Sequence, residues 1–231
     1  MLSKSVLSKV AIIIPVYNER QVIEGIVRKV KKDFDYVVCV DDGSKDDSDV
    51  KILAGGGMLV RHPINMGQGA ALQTGIEFAR ELPVDYFVTF DADGQHRIED
   101  VFAMVKEIEK GKSDIILGSR FLGKALGIKK TKKALLKLAI FFTRMTTKLK
   151  LTDTHNGLRV FNRKVAEEMQ ITMPDMAHAS EMLEIIAEKK YRYKEIPITI
   201  EYTDYSIAKG QGAINAVNIG LDVLLRKVTK R

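Results

Sequence analysis

Short apolar, β-rich runs alternate along the chain with longer stretches in which apolar residues return every three or four positions. The runs are 10–15, 36–40, 58–61, 86–90 and 114–118. They are nearly unbroken rather than alternating, which suits strands buried on both faces. Helical spacing falls between them, at 22–30, 70–80 and 98–109. Strand and helix follow one another with short connections. That order predicts an α/β fold: an open, mostly parallel, Rossmann-like sheet with helices on both faces. Beyond 118 the regular alternation ends. Residues 129–150 carry a helical pattern, 152–163 read as loop and strand, 179–189 as helix, 192–202 as strand and 212–228 as a last amphipathic helix. Pro197 inside 192–202 marks an edge strand, since proline cannot donate to a ladder. With no repeat, low-complexity segment or linker, the 231 residues read as a single domain.

Polar clusters follow the predicted strands. They are Tyr17-Asn18-Glu19, Asp41-Asp42-Gly43-Ser44, Asn65-Met66-Gly67-Gln68-Gly69 and Asp91-Ala92-Asp93-Gly94. In open α/β sheets ligands bind beyond the carboxyl ends of the strands, so all four are expected at one edge. Asp91 and Asp93 lie one residue apart where a strand runs out, and side chains alternate along strands, so both leave the backbone on the same side. Paired carboxylates repel unless a cation sits between them. A hard divalent ion carrying a diphosphate suits them, although the tetrapeptide alone also reads as a solvated turn.

Composition narrows the class. Cys39 is the only cysteine and lies in an apolar run, so no disulfide forms within the chain and a reducing, cytoplasmic setting is expected. No stretch approaches the ~20 apolar residues that span a bilayer, and the N-terminal run reads as a strand rather than a signal peptide. Net charge is +7, yet residues 120–151 hold ten Lys or Arg and no acid, leaving −3 for the rest. An anionic partner is therefore expected on this one segment. Its Leu, Ile and Phe content argues against nucleic acid.

The ordered motifs resemble family 2 glycosyltransferases of the GT-A fold, most closely the dolichyl- and polyprenyl-phosphate sugar synthases. The likeness rests on Ile14-Pro15-Val16-Tyr17-Asn18-Glu19, Val40-Asp41-Asp42-Gly43-Ser44, the run 65–69, Asp91-Ala92-Asp93-Gly94-Gln95-His96, Gly118-Ser119-Arg120-Phe121 and Asn156-Gly157-Leu158-Arg159, and spans roughly 8–210. It implies a nucleotide-sugar half (1–119) and an acceptor half (120–211), followed by the helix in 212–231. Pro15, Tyr17, Glu19, Asp41, Gly67 and Asp91 would then bind the nucleotide-sugar. Asp91, Asp93 and Gln95 would hold Mg²⁺ or Mn²⁺ against the diphosphate, where the ion offsets charge on the leaving group. His96 either ligates the ion or only flanks that set, and is left out of it.

A lipid phosphate is already anionic and needs cations to position it, whereas a hydroxyl acceptor needs a base. Arg120 matches the position that grips an acceptor phosphate, which its planar fork suits. Glu181 is the base candidate, with a helix N-terminal acid favoured by the dipole as its plain alternative. The resemblance is imperfect. Where the synthases carry a second arginine this chain has lysines, of which Lys129 and Lys132 are assigned to the acceptor phosphate. A later arginine is also missing, and Lys209 is assigned to the phosphates. The implied activity is inverting, metal-dependent sugar transfer to polyprenyl phosphate. Transfer to a hydroxyl of a lipid-linked saccharide, and a non-catalytic lipid- or nucleotide-binding subunit, are the alternatives.

Within 129–150, Leu135, Leu138, Phe142, Met145 and Leu149 share one face, and Lys133, Lys137, Arg144 and Lys148 the opposite one. Leu136, Ile140 and Phe141 flank those cations, a mixture that suits a helix lying on an anionic membrane surface. The chain is therefore expected at the inner face of the membrane, held there peripherally, with a small membrane protein or a homo-oligomer supplying the anchor that related synthases carry as transmembrane helices.

Overall fold

The computed structural model describes residues 2–175 and 177–209. One helical turn, α1 (Lys4–Leu7), leads into β1 (Val10–Val16), α2 (Ile23–Lys31), β2 (Tyr36–Asp41), α3 (Ser48–Gly55), β3 (Met58–Arg61), α4 (Gln68–Arg80), β4 (Tyr86–Thr89), α5 (Ile98–Ile108) and β5 (Ile115–Leu126). The second half is α6 (Lys130–Thr147), β6 (Arg159–Asn162), α7 (Arg163–Glu168), α8 (His178–Glu188), β7 (Tyr193–Glu201) and α9 (Asp204–Lys209). The helix expected at 212–228 lies outside the described residues.

Strand β1 shows why the sheet is covered on both sides. Val10, Ile12, Ile14 and Val16 enter one apolar layer, with residues of α2 and α5. Ala11 and Ile13 enter the other, with residues of α4, α7 and α8. The period of two thus divides one strand between two cores, which is why its sequence reads as a continuous apolar run. The seven strands lie in the order β3-β2-β1-β4-β6-β5-β7. β1 pairs in parallel with β2 and β4, β2 with β3, and β5 with β7, while β6 runs antiparallel to both its neighbours. This is the mostly parallel open sheet of the GT-A fold. β7 is an edge strand, as β3 is at the other end, and its exposed Pro197 sits opposite Ser119, where the register with β5 begins to shift.

Two expectations change. β5 continues past Gly118 to Leu126, because after the shift Lys124, Ala125 and Leu126 pair again with Thr199, Ile200 and Glu201. Helix α6 turns a different face inward. Leu136, Ile140 and Thr143 are buried, whereas Leu138, Phe141 and Met145 are 64%, 62% and 66% exposed. Apolar residues line this helix on more than one side, so periodicity alone does not choose the stripe that meets the domain. Packing against α8 does. No helix among the described residues is long and apolar enough to cross a membrane.

Candidate active site

The ends of β1, β2 and β4 and the start of α4 enclose a cavity of about 460 Å³. Pro15, Tyr17, Glu19, Gly67, Asp91 and Asp93 line it, as does Lys209 from α9. Buried Glu19 is gripped from α9, by Lys209 Nζ at 2.6 Å and by a hydrogen bond from the Tyr205 hydroxyl. Lys209 also donates to the carbonyls of Tyr17 (2.8 Å) and Asn18 (2.7 Å). Tyr205 was not anticipated, and its one sequence signal is an aromatic next to the Ser206-to-Lys209 stretch.

The adjacent acids Asp41 and Asp42 divide their work because strand side chains alternate. Asp42 lines the cavity and builds its wall. Its carboxylate accepts from the backbone N–H of Met66 and Gly67, both at 2.8 Å, and from His62 Nδ1 at 2.7 Å. Gly67 has a φ of 93°, and a Cβ there would meet the Pro174 carbonyl oxygen at 2.5 Å. Asp41 is fully buried; Oδ1 accepts from Ser44 N at 3.1 Å, but Oδ2 has no hydrogen-bond partner. The guanidinium of Arg61 lies 3.5 Å from that oxygen. A buried acceptor without a donor is costly, and a ligand N–H would satisfy it.

Beyond β4, Asp91 accepts from His96 Nε2 at 2.9 Å and from Gln68 Nε2 at 3.2 Å. Asp93 accepts from the backbone N–H of Gln95 at 3.0 Å and its side-chain amide at 2.6 Å. The two acids behave differently. Burial, together with the charge of Asp91, pushes Asp93 up to about 6. Burial also acts on Asp91, but the hydrogen bond and charge of His96, with Arg159 and His178 behind, outweigh it and hold Asp91 low. Buried Arg159 stands on β6 opposite Thr89, one strand from the Asp91 turn. Burial lowers it to about 10 against the pull of Asp91 and Asp153. Gly157 completes the fit: a Cβ there would fall inside contact distance of both Asp91 carboxylate oxygens.

Among the described residues no group of three or more His, Cys, Asp or Glu is placed to hold a metal. The donor set nonetheless fits a hard divalent ion brought with a diphosphate. The Gln95 amide nitrogen donates to Asp93 Oδ2 at 2.6 Å, which keeps that side chain at the site, and Asp93 carries repulsion that a cation would relieve.

Arg120 is buried, but its fork is not bare. Nε donates to Asp153 Oδ2 at 2.7 Å, Nη1 to the Tyr202 hydroxyl at 2.7 Å, and Nη2 to the His155 carbonyl. Three of its five N–H groups are thus engaged, so the free bidentate grip expected from sequence is not what the side chain presents. Lys132 stands beside it, its ammonium 4.6 Å from the centre of the Tyr202 ring. Burial and the neighbouring charge of Arg120 lower Lys132, while Asp93 pulls the other way. Lys129 is the N-cap of α6 and exposed. Glu181 is buried away from the cavity. It accepts from Thr172 N at 3.0 Å, Met173 N at 2.9 Å and the Thr172 hydroxyl, tying down the loop whose Pro174 carbonyl meets Gly69 N at 2.5 Å. Asp42, Asp153 and Arg159 are the site residues that sequence reasoning passed over individually. All three stand inside motifs it had singled out or beside them.

Comparison with known proteins follows this geometry. Residues 11–170 match the model of glycosyl transferase family 2. The chain is 31% identical over 247 residues to the UDP-N-acetylglucosamine–dolichyl-phosphate N-acetylglucosaminyltransferase of Methanococcus voltae, covering 95% of this chain and 96% of that one. It is 26% identical to the polyprenol monophosphomannose synthase of Mycolicibacterium smegmatis, over 87% of this chain and 81% of the relative. Among solved structures, glucosyl-3-phosphoglycerate synthase from Mycobacterium tuberculosis, in complex with Mn²⁺ and uridine-diphosphate-glucose, superposes with a TM-score of 0.72. At 15% identity, covering 94% of this chain and 77% of that one, it supports the fold. The chain belongs to glycosyl transferase family 2 and is a glycosyltransferase.

Proposed function

We propose that the protein moves a sugar from a nucleotide-sugar to a polyprenyl phosphate, with inversion, at a membrane surface. The carrying observation is the meeting of Arg120 and Lys132 at Tyr202, whose hydroxyl accepts from one and whose ring faces the ammonium of the other, with the one base candidate, Glu181, fully engaged elsewhere. A phosphate acceptor arrives ionised, so it needs those cations and no base. Its oxygen forms a bond to the anomeric carbon from one face as the bond to the nucleoside diphosphate breaks on the other. The electron pair of the broken bond stays with the diphosphate. Asp93 and Gln95, with Asp91 alongside, would hold Mg²⁺ or Mn²⁺, which when bound stabilises charge on that diphosphate. The buried Asp41 Oδ2, which lacks a hydrogen-bond donor, supports its assignment as acceptor for an N–H of the nucleotide base. Arg120, held rigid by Asp153, Tyr202 and His155, keeps two N–H groups for an acceptor oxygen. The exposed Leu138, Phe141 and Met145 on α6, among lysines that make no ion pair with the described residues, support a peripheral membrane position.

The test is a transfer assay with nucleotide-sugars, polyprenyl phosphate and Mg²⁺ or Mn²⁺, with products read by mass. Asp93→Ala is expected to abolish turnover. Glu181→Gln should keep kcat within about tenfold of wild type while lowering stability by about 1–3 kcal/mol, through the lost acceptor. A kcat loss of a thousandfold or more in a folded Glu181→Gln protein would favour the hydroxyl-acceptor reading instead.

A further inference from the structure

A second cavity, of about 470 Å³, lies between α6 and the segments around Phe121 and Thr152. It is separate from the Arg120 locus. Successive side chains on an extended chain face opposite ways, so Ser119 and Phe121 point away from Arg120. The Ser119–Thr152 contact at 2.7 Å and the Arg120–Asp153 ion pair at 2.7 Å place those two pairs accordingly. Lys133, Lys137 and Arg144 edge the cavity, and Ile140, Phe121 and Phe141 form its apolar wall. No ion pair among the described residues involves any of these three cations. Arg144 Nε donates to the Leu151 carbonyl at 2.5 Å, and among the described residues its other nitrogens have no hydrogen-bond partner. Phe141 is 62% exposed at the rim and continues the apolar strip of Leu138 and Met145.

We infer that this groove holds the headgroup of an anionic phospholipid, a bilayer lipid that does not react. The phosphate lies between Lys133, Lys137 and Arg144, and the first acyl carbons lie on Phe121 and Phe141. Charge complementarity names the occupant. Unpaired cations beside an apolar wall match a ligand that is anionic at one end and greasy at the other, and a free phosphate would leave that wall wet. The inference deepens the membrane part of the proposed function and rests on it.

The experiment is co-sedimentation of the full chain with phosphatidylcholine vesicles, with and without about one-third phosphatidylglycerol. Binding is expected only with the anionic lipid. Lys133→Gln/Lys137→Gln, which spares Arg144 and its bond to Leu151, should weaken it about thirtyfold, at about fivefold per cation. Phe141→Ser should weaken it several-fold. A control removing the same charge elsewhere, Lys29→Gln/Lys32→Gln, should change it less than threefold. Equal losses in the two double variants, or unchanged binding of Lys133→Gln/Lys137→Gln, would overturn the inference, as would inorganic phosphate or glycerophosphate displacing vesicles at equal molarity. Transfer to a short-chain polyprenyl phosphate in detergent should stay within about twofold in Lys133→Gln/Lys137→Gln, because neither residue is at the reaction centre. Absence of transfer in the wild type would fell the proposed function and leave the vesicle result standing.

Discussion

At the scale of single residues, the site depends on close approach as much as on charge. Gly157 lets the chain pass directly against Asp91, and a methyl group there would overlap both carboxylate oxygens. Gly157→Ala must therefore push Asp91 off His96 or move the 156–158 turn. Displacements of this size cost on the order of a hundredfold in rate when they fall on a reacting constellation. The expected result is a kcat/KM at least about a hundredfold down with a melting temperature within a few degrees of wild type, measured on the same preparation. An alanine variant with wild-type activity would remove Asp91 from the site. The glycine could be read from the Asn-Gly-Leu-Arg motif, but its reason could not. No pattern in one sequence says that residue 157 touches residue 91. The same limit applies to Asp41 and Asp42: both stand in one motif, and only strand alternation in the folded sheet separates fully buried Asp41, whose Oδ2 lacks a donor, from Asp42, which lines the cavity and builds its wall. Arg120 shows the opposite case. Its place was legible, yet its hydrogen bonds to Asp153 and the His155 carbonyl in one loop, and to Tyr202 after β7, come from two distant segments.

At the scale of elements, the first half was legible because its strands are flanked by turn residues and, edge strand β3 apart, are buried on both faces. Helix α3 was passed over: it is only eight residues long and ends at Gly56, whose φ of 86° stops it. The mixed half was less legible, since β6 inserts antiparallel between β4 and β5 and no local pattern gives strand direction. What joins these strands is Asp114. Its carboxylate accepts from Arg192 N at 2.9 Å and Arg192 Nη2 at 2.8 Å, its carbonyl accepts from Asn162 N at 3.1 Å, and β5, β6 and β7 are thereby tied at one end. The Arg192 hydrogen bond, against a smaller effect of burial, lowers Asp114 to about 2. For an acid with a depressed folded pKa, the stabilisation is present above the unfolded value of 3.8 and is lost as pH falls through about 2. Arg192 is 59% exposed, so solvent screening reduces the effect to about 1 kcal/mol. Urea unfolding near neutral pH should find Asp114→Asn less stable by about that amount, and near pH 2 the gap should close. A gap that persists at pH 2 would assign the loss to packing rather than to the ion pair.

At the scale of the whole molecule, the active edge is a place where the fold gives up stability. Asp93 is half-buried next to the ionised Asp91, and its pKa of about 6 lies above the 3.8 of an ordinary aspartate. A folded pKa that is raised gives a contribution fully present below 3.8 and lost as pH rises through about 6. Above that pH the native state carries a carboxylate it would rather protonate, at a cost of roughly 1–3 kcal/mol. Asp93→Asn removes the charge and should raise the melting temperature of the metal-free protein near pH 8 by several degrees, an advantage that fades by about pH 4. A divalent ion with a nucleoside diphosphate should reverse the order. It neutralises the pair in the wild type and has less to neutralise in the variant, so the wild type should gain more on addition of Mn²⁺ and UDP. The same linkage makes metal affinity fall as pH drops below about 6, because the ion must then displace a proton from Asp93. Thermal melts of both proteins, from about pH 5 to 8 with and without the ion and nucleotide, read all three effects without any turnover. If Asp93→Asn melts no higher than wild type near pH 8, and Mn²⁺ with UDP shifts both proteins alike, then neither the strain at Asp93 nor its role as metal ligand can stand.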